Sequence, residues 1–167
     1  GSSLTFMSPM DQTPNAEELS QLSVSSDNWV GGLYYDLIEK KTEFQTYYTL
    51  LAWDGNNLLT NKKHIEVLWF DGELNPRFGA PIFKTTKNRV SRVLFEFGGQ
   101  NSMRLYYDET LDRIVFDHLS PPRSSLEGIY EYYGADLSRD AYDWENGNWV
   151  LKSDINSDET KIKRKSD

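Results

Sequence analysis

From residue 29 to residue 152 the chain repeats one cadence: a short run rich in Tyr, Trp, Phe, Val and Ile, a turn of Asp, Asn and Gly, then another run. Period-two alternation marks the runs. Over residues 63–70, Ile65, Val67 and Trp69 fall on one face while His64 and Glu66 point the other way. Over 92–97, Val93, Phe95 and Phe97 oppose Arg92 and Glu96; over 103–107, Met103, Leu105 and Tyr107 oppose Arg104 and Tyr106. Side chains alternate across a strand but recur every ~3.6 residues on a helix, so this spacing calls for pleated sheet. Asp54-Gly55, Asp71-Gly72 and the run Glu145-Asn146-Gly147-Asn148 carry the residues that tight turns need, the last joining two Trp-bearing strands into a terminal hairpin. No strand–helix–strand spacing occurs that would carry the chain over to a parallel neighbour.

The chain therefore reads as one all-β domain of about ten short strands. The expected architecture is an antiparallel meander forming a curved sheet, either a partly open lipocalin-like barrel or a two-layer sandwich. Residues 48–52 are more continuously apolar than the other runs, which suits a central strand covered on both faces. The aromatic share, 14%, is high and fits half-buried pleated surfaces. Residues 1–27 are polar and lack large apolar runs; within them Thr13 as cap, Pro14, Glu17 and Glu18, followed by Leu19 and Leu22, predict a short N-terminal helix. The expected division is a polar leader over 1–27, the β domain over 28–152 and a charged, flexible tail over 153–167.

Charge and composition remove several classes of function. The formal net charge is −8, and the one basic cluster is Lys161, Lys163, Arg164 and Lys165 in the tail, so a nucleic-acid partner is not expected. Cysteine is absent, which excludes disulfides, thiolate metal sites and cysteine nucleophiles. No apolar stretch approaches the ~20 residues of a membrane helix.

Larger stretches carry a resemblance. The run Asn28-Trp29-Val30-Gly31-Gly32-Leu33-Tyr34-Tyr35-Asp36, residues 47–71, Phe78-Gly79-Ala80-Pro81-Ile82-Phe83, residues 116–122 and residues 126–142 resemble a family of uncharacterised, usually exported proteins of Bacteroidota-type bacteria. The resemblance spans roughly residues 28–152. It implies an exported single-domain protein, periplasmic or at the cell surface, and brings no activity, cofactor or catalytic residue. No signal peptide is visible; the chain opens on Gly1 and not on Met, and the exported reading takes such a signal to have been removed.

Candidate chemistry is sparse. The two histidines, His64 and His118, have no nucleophile-elbow motif beside them. His118 continues the pattern Ile114, Phe116, which places it on the inner face, and its neighbour Asp117 then points away from it. Asp136, Asp140, Asp143 and Glu145 form the densest acidic set and could offer oxygen ligands to calcium, although the spacing matches no EF-hand loop and no metal is assigned. Gly98-Gly99 reads as a bend or bulge, since neither a helix nor a lysine follows to make a phosphate cradle.

The least ordinary feature is the second face of the sheet. Tyr34, Tyr48, His64, Glu66, Arg92, Arg104 and Tyr106, with Glu96 and Glu131, project away from the apolar core, and Tyr and Arg dominate binding hot spots. A solvated face of cross-strand ion pairs is the competing reading. The expected function is thus a non-enzymatic binding or interaction domain of the bacterial envelope, with an envelope protein or a small polar ligand as partner. A hydrolase using carboxylates such as Asp117 or Glu66, and a structural subunit of a larger assembly, stand as alternatives.

Overall fold

The structure, a computed structural model, describes residues 16–156. It is nearly all β, with two sheets, one of them curled into a half-barrel, and one short α-helix, α1 (Ala16–Gln21). Thr13 and Pro14, the expected start of that helix, lie outside the described residues, as do 157–167 of the tail.

The first sheet grows from a meander of β2 (Leu33–Lys41), β3 (Thr46–Asp54) and β4 (Thr60–Phe70), preceded in the chain by the two-residue β1 (Val24–Ser25). The far edge of β4 is shared: its second half pairs with β5 (Pro76–Phe78), which in turn pairs with β1, and its first half pairs with β8 (Val93–Gly98). Between β5 and β8 the chain leaves this sheet to supply β6 (Phe83–Lys84) and β7 (Arg89–Val90) to the second. A second meander completes that sheet: β9 (Leu105–Asp108), β10 (Arg113–Ser120), β11 (Gly134–Glu145) and β12 (Asn148–Lys152). All pairings are antiparallel except β6 with β12, which align in parallel through Trp149↔Phe83 and Val150↔Lys84. The long excursion that separates these two strands in sequence leaves either direction open to them.

The alternation read from the sequence sets the inner faces. Leu51, Ile65, Val67 and Phe97 of the first sheet meet Leu105, Ile114, Phe116, Tyr142 and Trp149 of the second in one buried cluster. The apolar stretch of β3 lies between β2 and β4, and Thr49, Leu50, Leu51 and Ala52 are all buried. Trp149 ties the layers together, its Nε1 donating to Thr49 Oγ1 at 3.0 Å within the core. In the terminal hairpin Asn146 and Gly147 both take positive φ, 49° and 79°, which matches the twist of the flanking strands and brings Trp144 opposite Trp149.

The edge strand β2 is fastened to the second sheet by side chains. Lys40, on the same face as Ile38, points inward and is 11% exposed. Its Nζ lies 5.7 Å, 5.8 Å and 5.3 Å from the ring centres of Tyr107, Trp144 and Trp149, and it pairs with Asp112, which also accepts from Tyr107 Oη at 2.5 Å. A desolvated ammonium over aromatic faces is held more strongly than an exposed one. Lys40→Met keeps the length and removes the charge; it is expected to cost about 1–2 kcal/mol in urea unfolding and to change the tryptophan emission. An unaltered unfolding midpoint would show that Lys40 holds nothing.

The expected boundary at residue 28 does not part residues 16–27 from the sheet. Ser91 N donates to Ser20 O at 2.6 Å, Ser91 Oγ donates to Gln21 O at 3.1 Å, and β1 pairs with β5. These residues form a strap over the outer face of the first sheet. Among the described residues, no helix is long and apolar enough to cross a membrane.

Candidate functional site: a cleft at His118

The seven residues expected to form one recognition face fall in separate places. Tyr34, His64, Glu66 and Arg92 do gather on the outer face of the first sheet, but His64, Glu66 and Arg92 are buried and not solvent-facing. The strap is the reason. Arg92 Nε donates to Glu66 Oε2 at 2.9 Å, with both side chains fully buried, while its other guanidinium nitrogens donate to Leu19 O of the strap and to Phe78 O. Gly79, at φ +90°, lets the strap come this close; a Cβ there would collide with Leu22 O. Burial pushes the Glu66 carboxyl above its ordinary range, and Arg92 draws it back only in part.

His64 packs edge-on against Tyr34, with ring centres 6.0 Å apart, and burial holds its pKa down to about 4. The described residues offer no hydrogen-bond partner to His64 Nε2 or to Tyr34 Oη. Burial also raises the Tyr34 hydroxyl well above its usual value. Tyr48, farther along the same face, is half-buried and packs edge-on against Phe70.

Arg104 and Tyr106 lie at the second sheet, Arg104 just before β9 and Tyr106 within it. Tyr106 is exposed on β9. Arg104, 70% exposed, lies on Asp117: its backbone N donates to Asp117 Oδ2 at 2.8 Å and its Nη2 is 3.3 Å from Oδ1.

The geometry that can receive a molecule lies elsewhere, between β8 of the first sheet and β10 of the second. The register of β10 against β11 slips between Asp117 and Leu119, so the inward series Ile114, Phe116 does not continue to His118. Asp117 is buried instead, and His118 turns outward with its side chain 47% exposed. This corrects the expected inner placement of His118. Asp140, brought alongside by β11, orients the ring: His118 Nδ1 donates to Asp140 Oδ2 at 2.8 Å, and Asp140 Oδ1 accepts from Asp154 N at 2.9 Å. His118 Nε2 is left facing Asp136 Oδ2 at 4.0 Å. The hydrogen bond to Asp140 holds the His118 pKa above its ordinary value, against the pull of partial burial.

Around this pair opens a cleft of about 280 Å³, floored by Phe95 and Phe116 and walled by Glu96, Asp117, Asp140 and the rings of Tyr130 and Tyr133. Phe95 and Phe116 pack with ring centres 4.9 Å apart, Tyr130 and Tyr133 with 5.1 Å. The tyrosine wall comes from a single 3-10 turn, Tyr130–Tyr132, and the extended residue that caps it, Tyr133, docked on the end of β8: Gly98 N donates to Tyr133 O at 3.0 Å and Asn101 Nδ2 donates to the same carbonyl at 2.7 Å. A Cβ on Gly98 would strike Glu131 O, so glycine is needed there for the approach of another backbone segment.

The carboxylates of the cleft are all held in place. Glu96 Oε1 accepts from Thr60 Oγ1 at 2.7 Å and Oε2 lies 3.9 Å from Lys62 Nζ; Asp117 is engaged by Arg104, and Asp140 by His118. The acidic set considered for calcium does not converge, because Asp136 and Asp140 face His118, Asp143 pairs with Arg113 at 2.9 Å and Glu145 with Lys152 at 2.7 Å. Among the described residues, no group of three or more His, Asp or Glu side chains is placed to hold a metal ion. Comparison of the chain with family models, with characterised proteins and with solved structures returns no match.

Proposed function

We propose that this chain is a non-enzymatic binding domain of the bacterial envelope, periplasmic or at the cell surface, and that the cleft at His118 receives a small polar ligand. One observation carries the reading: an open cleft in which paired aromatic rings meet carboxylates already fixed by hydrogen bonds to the scaffold. Apolar walls with a few oriented polar groups are the usual make-up of a ligand site. The hydrolase alternative draws less support. Glu66 is sealed against Arg92, and both oxygens of Asp117 face Arg104, so neither is free to shuttle a proton. His118 is oriented by Asp140, but its outer nitrogen faces Asp136 where a hydroxyl nucleophile would have to stand. The envelope assignment itself rests on the resemblance of residues 28–152 and is checked by fractionating cells that express the native gene.

A protein partner has a different observation behind it. Leu33 and Leu37, 65% and 57% exposed, stand on β2, which among the described residues ends the first sheet with an unpaired edge.

The ligand reading is tested by a thermal-shift screen of sugars, amino acids, amines and divalent cations. At least one compound is expected to raise the unfolding temperature, and Tyr130→Ala, which alters an exposed wall residue, is expected to abolish that rise. A rise that survives Tyr130→Ala and Glu96→Gln unchanged would place the ligand outside the cleft.

A further inference from the structure

We infer that the ligand of the His118 cleft is a small organic cation, an alkylammonium or diammonium compound, held between the tyrosine wall and the carboxylates. This rests on the binding reading above and names its ligand class. Among the described residues the lining carries three acids, Glu96, Asp117 and Asp140, and one basic group, His118. The cations that neutralise the acids approach from the flanks: Lys62 on Glu96 and Arg104 on Asp117, neither of them among the lining residues. The lining therefore joins these carboxylates, whose oxygens already accept from Thr60, Arg104, His118 and Asp154 N and keep further lone pairs for a guest, to Tyr130, Tyr133, Phe95 and Phe116. Acceptors and π faces favour a positive guest and offer little to an anion.

The same molecule shows that this combination holds an ammonium. Lys40 is fixed by the faces of Tyr107, Trp144 and Trp149 with Asp112 as its counter-charge. The cleft repeats those constituents, rings and carboxylate, with no lysine in its lining among the described residues.

His118 makes the binding pH-dependent. The charged groups around it are Asp136 and Asp140 on β11, Glu96 on β8 and Asp117 beside it on β10. Lys62 offsets Glu96 and Arg104 offsets Asp117, so while the imidazole is neutral it is Asp136 and Asp140 that leave this lip of the cleft negative. Once protonated, His118 places a positive charge at the lip and competes with the guest for Asp140.

Calorimetric titration of the full chain with 1,4-diaminobutane and tetramethylammonium, against the uncharged analogues 1,4-butanediol and tert-butanol, tests the inference. The cations are expected to bind at least about tenfold more tightly than their analogues, and Tyr130→Ala and Glu96→Gln to weaken the cations about five- to tenfold with unchanged circular dichroism. Affinity is expected to fall from pH 8 to pH 5.5 in the wild type and to stay level in His118→Gln. If a neutral analogue binds as tightly as its cation and Tyr130→Ala abolishes both, the cation inference is overturned and the cleft reading stands. If neither cation binds, the cation inference is likewise overturned. If every probe that binds does so equally in Tyr130→Ala and Glu96→Gln, both readings fall.

Discussion

Replacing Arg92 with methionine is expected to lower the stability of the fold by about 3–5 kcal/mol, the largest effect of any single polar substitution considered. The guanidinium satisfies three groups at once: the Glu66 carboxylate, the Phe78 carbonyl and the Leu19 carbonyl of the strap. Glu66 and Arg92 are both fully buried, so removing one partner strands a charge where water cannot reach it. Glu66, whose pKa burial already raises, would then be driven to take up a proton. The strap would lose its bond to the Arg92 guanidinium and keep those from Ser91 to Ser20 and Gln21 and the short pairing of β1 with β5. Arg92→Met combined with Glu66→Met is expected to recover most of the loss, because an apolar pair of similar volume needs no compensation. Urea unfolding of the two variants checks this; a single variant within about 1 kcal/mol of wild type would mean that the ion pair is dispensable.

Acidification acts through His64. Its folded pKa of about 4 lies below the ordinary 6.5, so between those values the unfolded chain binds the proton that the folded chain refuses. Stability is therefore fully present above about pH 6.5 and is lost as pH falls toward 4, by as much as ~3 kcal/mol if the whole difference is expressed. Glu66 works in the opposite sense: its raised pKa stabilises the fold at low pH and withdraws that stability as pH climbs from 4.5 through its folded value. His118, with its raised pKa, also stabilises below 6.5 and loses its contribution on the alkaline side, weakly because it is half exposed. The His64 part is isolated by comparing urea midpoints from pH 4 to pH 8 for the wild type and His64→Leu. The wild type is expected to lose stability more steeply toward pH 4; parallel profiles would show that His64 takes up its proton in the folded state as readily as in the unfolded chain.

Much of the fold was legible because pleating writes itself into sequence. Ile65, Val67 and Phe97 are core residues for the reason their spacing suggested, and Asn146-Gly147 turns where a two-residue hairpin requires positive φ. Alternation separates two faces but does not say what covers the second. The strap is polar and binds largely through its main chain, the carbonyls of Leu19, Ser20 and Gln21, which almost any residues would have offered. His64, Glu66 and Arg92 therefore read as surface when they are interior. The slip at Asp117 and Leu119 has no glycine or proline to announce it, so His118 was assigned to the wrong face. The cleft was hardest to foresee. Its tyrosines come from a three-residue 3-10 turn and the residue that caps it, with no period, and Asp140 reaches His118 only through the β10–β11 pairing. Gly98 carried the one partial signal, a glycine within a strand where another backbone comes close.

Whether the ligand site is the His118 cleft is decided by amide NMR spectra of the full chain titrated in turn with 1,4-diaminobutane and 1,4-butanediol. The diammonium is expected to shift resonances of residues 94–96, 116–119, 130–133 and Asp140 in a saturable manner while those of Tyr34, Tyr48 and Tyr106 stay in place. Saturable shifts centred on Tyr34, Tyr48 or Tyr106, with residues 116–119 and 130–133 unmoved by either probe, would contradict the cleft as the site.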